Sequence, residues 1–220
     1  VLGLATGSTP IGAYQQLIEW YRKGDLSFAE TRTVNLDEYC GLAPTHEQSY
    51  RRFMQTNFFD HIDVRLENTH VPNGLAEDLE AECARYNRVI QELGGIDLQL
   101  LGMGHNGHIG FNEPGHTFAL ETHAVDLSQT TIDANARFFA SREDVPRRAL
   151  TMGIKNIMQA RRILVVVSGE DKAEIVCRAF RGPVTPQVPA SILQLHPDVT
   201  LVGDRAALHA LVEAGETVCG

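Results

Sequence analysis

The chain has 220 residues, 43% hydrophobic and 21% charged, which is the make-up of an ordinary globular protein large enough to bury a substantial core. A formal net charge of −9 and the absence of any Lys/Arg-rich run exclude a nucleic-acid surface, so an anionic ligand would need a locally positive pocket. No apolar run approaches the length of a membrane span.

In chain order, Val1–Ala5 reads as a buried strand. It feeds the small-residue loop Gly3-Leu4-Ala5-Thr6-Gly7-Ser8-Thr9-Pro10 and then a helix over Pro10–Lys23. Pro10 suits the first helical position and Ser8 or Thr9 can cap it. The free N–H groups and dipole of such a helix start attract anions, phosphate most often. The loop lacks the Lys of a Walker A motif and the full GxGxxG, so a nucleotide is not implied. Thr33–Leu36 is the next strand and ends on Asp37-Glu38-Tyr39. Adjacent acids at a strand end point in different directions, so at most one faces a ligand.

Helices follow over Glu47–Phe58 and Ala76–Leu93. In the second of these, Leu79, Cys83, Tyr86, Val89, Ile90 and Leu93 recur at helical spacing and should face a sheet. Strand Ile96–Leu101 then runs into residues 101–115, Leu-Gly-Met-Gly-His-Asn-Gly-His-Ile-Gly-Phe-Asn-Glu-Pro-Gly. Five glycines, two histidines and a carboxylate in one loop at a strand's carboxyl end mark the place where open α/β sheets bind ligands. His108 can gain and lose a proton near neutral pH, and Glu113 can orient it or take its proton. His105 reads better as a surface histidine, and no third ligand at metal-site spacing accompanies the pair.

Strands are also predicted at His123–Asp126, Ala149–Met152, Arg162–Val167 and Val199–Val202, with helices at Gly153–Gln159, Asp171–Phe180 and Arg205–Glu213. The polar stretch Leu127–Val145 between two of these strands reads as an excursion able to cover a site. Arg137 lies within it. Lys172 lies just after the strong strand ending at Val167. Singly, each is an ordinary surface cation; their value depends on converging with Gly7–Thr9. Cys40, Cys83, Cys177 and Cys219 have no metal-ligand spacing and read as reduced thiols of a cytoplasmic protein.

The alternation of strands and helices predicts an α/β fold: a doubly wound, mainly parallel sheet with helices on both faces, Rossmann-like. No repeat or domain-scale linker breaks it, so residues 1–220 read as a single domain. Because Val1 already sits inside a core strand, the sequence is expected to lack an N-terminal strand–helix unit.

Taken together, LGLATGSTP (Leu2–Pro10), NLDEY (Asn35–Tyr39), GMGHNGHIGFNEPG (Gly102–Gly115), NARFF (Asn135–Phe139) and the Lys172 segment resemble the glucosamine-6-phosphate deaminase family. The GHIGFNEP stretch is the most specific, and the likeness runs over essentially the whole chain. It implies conversion of glucosamine 6-phosphate and water to fructose 6-phosphate and ammonia in the cytoplasm, by a monomer or homo-oligomer. Cofactor, metal, nucleic acid and membrane play no part in that expectation. Carried over by residue, it implies that Gly7, Ser8, Thr9, Arg137 and Lys172 hold the phosphate. His108 would open the sugar ring, oriented by Asn106 and Glu113, and Asp37 would move a proton between carbons 2 and 1.

Some family members carry Asp where this chain has Asn106. Members activated by an N-acetylated sugar phosphate have basic residues where this chain has His123 and Val125, so little such activation is expected. The rival readings are a 6-phosphogluconolactonase-like hydrolase and a non-catalytic sugar-phosphate sensor domain.

Overall fold

The computed structural model describes residues 1–215, the side chains of residues 130, 134, 135 and 138 excepted; Cys219 lies outside the described residues. The elements run β1 (Leu2–Leu4), α1 (Ile11–Lys23), β2 (Thr33–Asn35), β3 (Asp37–Tyr39), α2 (Tyr50–Asn57), β4 (Thr69–His70), α3 (Leu79–Glu92) and β5 (Leu98–Leu101). They continue as β6 (His123–Asp126), α4 (Gln129–Asn135), β7 (Arg148–Thr151), α5 (Ile154–Met158), β8 (Arg162–Val167), α6 (Ala173–Arg181), β9 (Val199–Gly203) and α7 (Arg205–Glu213).

Six strands form a wholly parallel sheet in the order β4-β2-β1-β5-β8-β9. A parallel sheet is covered on both faces, so its strands are short apolar runs such as Arg-Ile-Leu-Val-Val-Val in β8. The chain builds outward from β1 to β2 and β4. It then returns to lay β5, β8 and β9 on the other side. Strand order therefore reverses between β1 and β5, and the crevice above their carboxyl ends is where such folds bind ligands.

Helices pin that edge. On α1, Tyr14 and Ile18 are buried; Tyr14 stacks on Phe58 with ring centroids 4.8 Å apart, and its hydroxyl donates to Ala5 O at 2.6 Å. The end of β1 is thus tied to the helix it feeds. On α3 the expected face holds: Cys83, Tyr86 and Ile90 are buried, with Leu79, Val89 and Leu93 partly so.

Two of the predicted strands leave this sheet. β6 and β7 join β3 in a separate antiparallel sheet of order β3-β7-β6. The switch occurs at Leu36, whose N–H donates to Leu4 O in the main sheet (3.1 Å) while its carbonyl accepts from Met152 N beside the small one (2.7 Å). A parallel pair needs a crossover that packs back on the sheet. The connection from β6 to β7 instead folds over its own cluster of Tyr39, Phe111, Leu127, Ile132, Val145 and Ala149. Within that connection, the excursion expected at 127–145 contains helix α4, capped by Ser128. β3 and the two-residue β4 were not expected as strands; both are too short for an alternating pattern to register.

Candidate active site

An open cleft of about 580 Å³ lies at the switch point, bordered by the loops after β1 and β5, the start of β3, and residues of the 127–145 segment. All but one of the nine residues singled out from sequence line it: Gly7, Ser8, Thr9, Asp37, Asn106, His108, Arg137 and Lys172. Glu113, the ninth, stands behind His108 and lines a small neighbouring pocket.

The Asp-Glu pair separates as strand geometry requires. Glu38 turns away from the cleft. Its carboxylate accepts from the N–H groups of Tyr39, Tyr50 and Arg51 at 2.9 Å and from Ser49 Oγ at 2.7 Å. It is therefore committed to the otherwise unpaired donors at the start of α2. Asp37 faces the cleft, only 6% exposed. Burial, reinforced by the neighbouring charge of Glu38, pushes its carboxyl up to about 8. No hydrogen bond from any described residue offsets that cost. A buried, unpartnered carboxyl at a cleft wall suits proton transfer far better than structure.

The same cleft holds a chain of polar contacts around His108. His108 Nδ1 lies 2.7 Å from Asn106 Oδ1, which also accepts from the His108 N–H at 3.2 Å. Asn106 Nδ2 donates to Glu113 Oε2 at 2.6 Å, and Glu113 Oε1 is 3.7 Å from His108 Nδ1. Because an amide oxygen only accepts, Nδ1 carries the proton in the neutral ring, leaving Nε2 without one and able to accept. Burial pushes the imidazole below the usual histidine value; Glu113 opposes this, while Lys172 and His105 add to it.

Glycine is required here by space. A Cβ on Gly104 would fall 2.1–2.3 Å from three atoms of the His108 ring, so the imidazole lies against bare backbone. Gly110 has φ +57°, and its Cβ would meet Thr151 Oγ1 at 2.8 Å, close beside Asp37. The glycines of the loop thus let the His108 and Asp37 walls approach one another.

The cleft is also lined by cations and hydrogen-bond donors. Gly7, with φ +90°, turns the chain into the exposed Ser8 and Thr9. The expected side-chain cap does not form: Pro10 itself is the N-cap of α1 and no side chain bonds the helix start. Ser8 and Thr9 are turned outward instead, and the helix end is left open to an anion. Arg137 joins from the turn after α4. Lys172 Nζ donates to Met103 O at 2.9 Å and lies 3.3 Å from His105 Nδ1. Burial lowers the Lys172 ammonium, opposed by Asp171.

Of the cleft residues not singled out from sequence, three bring further polar groups to it. His105 lines the wall and pairs with the carboxylate of Asp171 beside Lys172, a placement that loop spacing cannot reveal. Tyr50 lies partly buried between Tyr39 and Phe111, with centroids 4.8 and 6.2 Å away. Thr131, from α4, donates its hydroxyl to Glu113 Oε1 at 2.7 Å. Among the described residues, no group of three or more His, Cys, Asp or Glu is placed to hold a metal ion. No helix among them is long and apolar enough to cross a membrane.

A glucosamine-6-phosphate deaminase of Lachnoclostridium phytofermentans is 64% identical over 202 residues, covering 92% of this chain and 86% of that protein. The solved structure of a monomeric glucosamine-6-phosphate deaminase superposes with a TM-score of 0.92 at 51% identity, covering 95% of this chain and 87% of that one. A 6-phosphogluconolactonase of Thermotoga maritima superposes with a TM-score of 0.69 at 22% identity over 92% of this chain and 84% of its own, a likeness of fold. The profile of the family described as glucosamine-6-phosphate isomerases/6-phosphogluconolactonase matches residues 1–202, and the chain belongs to that family.

Proposed function

We propose that this chain is a glucosamine-6-phosphate deaminase, releasing fructose 6-phosphate and ammonia from glucosamine 6-phosphate and water. The observation that carries the reading is Asp37: a buried carboxyl with no partner among the described residues, raised to about 8, facing the same cleft as the His108 ring and the cation-lined loop. High identity to deaminases along nearly the whole chain supports it.

In this reading the phosphate binds at Gly7–Thr9, Arg137 and Lys172. It does not react; its binding holds the remote carbons in place. Such positioning is worth up to roughly 7–11 kcal/mol in favourable cases. His108 Nε2 takes the proton from the C1 hydroxyl and returns it to the ring oxygen, which opens the sugar to its aldehyde. Asn106 fixes the tautomer this requires, and Glu113 stabilises the imidazolium while it lasts.

Asp37 is largely protonated in the empty cleft at neutral pH. The ammonium on C2 of the substrate favours its ionised form. As a carboxylate it removes the C2 proton while the aldehyde oxygen takes one from the C2 ammonium, giving an enolamine, and it then returns its proton to C1 to leave an iminium at C2. Water adds to that carbon, and the resulting carbinolamine expels ammonia as the C2 ketone forms. Each proton transfer of this kind contributes about 10²–10⁴-fold. Lactone hydrolysis needs no proton moved between carbons, and the chain is 64% identical to a deaminase against 22% to a lactonase, which favours the deaminase.

We read the protein as cytoplasmic, where phosphorylated sugars are held, and as a monomer or homo-oligomer. Incubation with glucosamine 6-phosphate, following ammonia and fructose 6-phosphate together, tests the reaction. Equal production of both is expected; a folded protein producing neither would overturn it, and tight binding without turnover would favour a sensor.

A further inference from the structure

The contact of Thr131 with Glu113 leads beyond this assignment. Glu113 has two carboxylate oxygens, and both are claimed: Oε2 by the Asn106 amide at 2.6 Å and Oε1 by the Thr131 hydroxyl at 2.7 Å. The hydroxyl is itself held, since Ser128 Oγ lies 2.9 Å from Thr131 Oγ1 and accepts from the Thr131 N–H at 3.2 Å. The first turn of α4 therefore presents one fixed donor to Glu113, from an element remote in sequence from the catalytic loop. His108 Nδ1 stands 3.7 Å from the same Oε1 but bonds the Asn106 oxygen instead.

We infer that Thr131 is a positioning residue: its hydroxyl holds the Glu113 carboxylate back from His108, so that the imidazole donates to Asn106 and keeps Nε2 free. Without that donor, Oε1 is released and the ring can pair directly with a full negative charge. The ring would then hold its proton more tightly and be a poorer acceptor at neutral pH. The other charged groups that act on the ring, Lys172 and His105, lie on elements other than α4. His105 belongs to the same loop, Lys172 follows β8, and Asp37 and Arg137 stand elsewhere along the cleft. A change on removing the Thr131 hydroxyl is therefore assignable to Glu113.

The role in turnover rests on the deaminase reading, but the effect on the imidazole does not. The test is NMR titration of histidine-labelled, unliganded protein, with the His108 signal assigned by a His108→Gln variant. Thr131→Val, which keeps shape and loses the hydroxyl, is expected to raise the His108 midpoint by at least half a pH unit. Thr131→Ser is expected to restore it. Inorganic phosphate binding should be the same in all three proteins.

In turnover, Thr131→Val should lower kcat for glucosamine 6-phosphate about tenfold, with KM changed less than threefold and the acid limb of the rate profile moved up in parallel. A folded Thr131→Val protein with an unmoved His108 midpoint would overturn the inference. Should that variant melt far below the parent, Thr131→Ala against Thr131→Ser carries the same comparison. If the parent protein shows no deaminase activity, the titration still decides the positioning role.

Discussion

Replacing Asp37 with Asn should make the protein more stable and nearly inactive, and the gain in stability should depend on pH. In the fold the carboxyl is raised from 3.8 to about 8, chiefly by burial. A raised carboxyl holds its proton in the folded state over a range where the unfolded chain has already lost it. Stability is therefore lost as pH rises above about 4, and the loss stops growing near pH 8. At about 1.4 kcal/mol per unit, that shift sets a ceiling of roughly 5–6 kcal/mol. An Asn side chain has no charge to bury but leaves its own polar atoms unpaired, at a cost of about 1–3 kcal/mol. The variant should thus match the parent near pH 5 and exceed it by about 3 kcal/mol at pH 8. For a protein of this size that is roughly 6–12 °C in Tm. Paired denaturant titrations of parent and variant from pH 5 to 8.5 measure the difference directly, because other titrating groups contribute to both. A difference that stays flat with pH would refute the burial of an unpartnered, titrating carboxyl at Asp37. The same variant should lose about 10²–10⁴-fold in kcat, as expected when a general base is removed.

Other substitutions separate the two ends of the cleft. Glu113→Gln removes the charge facing His108 while preserving shape, and should lower kcat about 10–100-fold with inorganic phosphate affinity unchanged; unaltered turnover would reject its role. Arg137→Ala should raise KM for the phosphorylated substrate at least tenfold with a smaller effect on kcat, measurable by steady-state kinetics. Gly104→Ala places a methyl within 2.1–2.3 Å of the His108 ring. It should displace the imidazole and cost at least 10²-fold in kcat/KM, with phosphate binding kept. N-acetylglucosamine 6-phosphate should not activate, since β6 offers His123 and Val125 rather than basic residues; sigmoidal kinetics relieved by that compound would contradict this.

The parts of this molecule legible in the sequence are those fixed by local rules. β8 announces itself as six consecutive residues with five apolar, α3 by its 3.6-residue face, and the catalytic loop by glycines that only a close approach of chains requires. Asp37, by contrast, was legible as chemistry but not as environment. Nothing in Asn-Leu-Asp-Glu-Tyr states that the chain leaves one sheet for another at Leu36, yet that switch turns Asp37 to the cleft and Glu38 to the start of α2. The assignment of roles to two adjacent acids is therefore a property of topology. Thr131 illustrates the same limit more sharply. A threonine in a polar stretch carries no signal of its own. It acquires a function because the antiparallel pairing of β6 with β7 folds the intervening segment over Glu113. The element that escaped the parallel sheet thus lays Arg137 along the cleft and brings Thr131 against Glu113. A single short segment then touches both halves of the cleft, so disturbance of α4 should change KM and kcat together, whereas the point substitutions above move them apart.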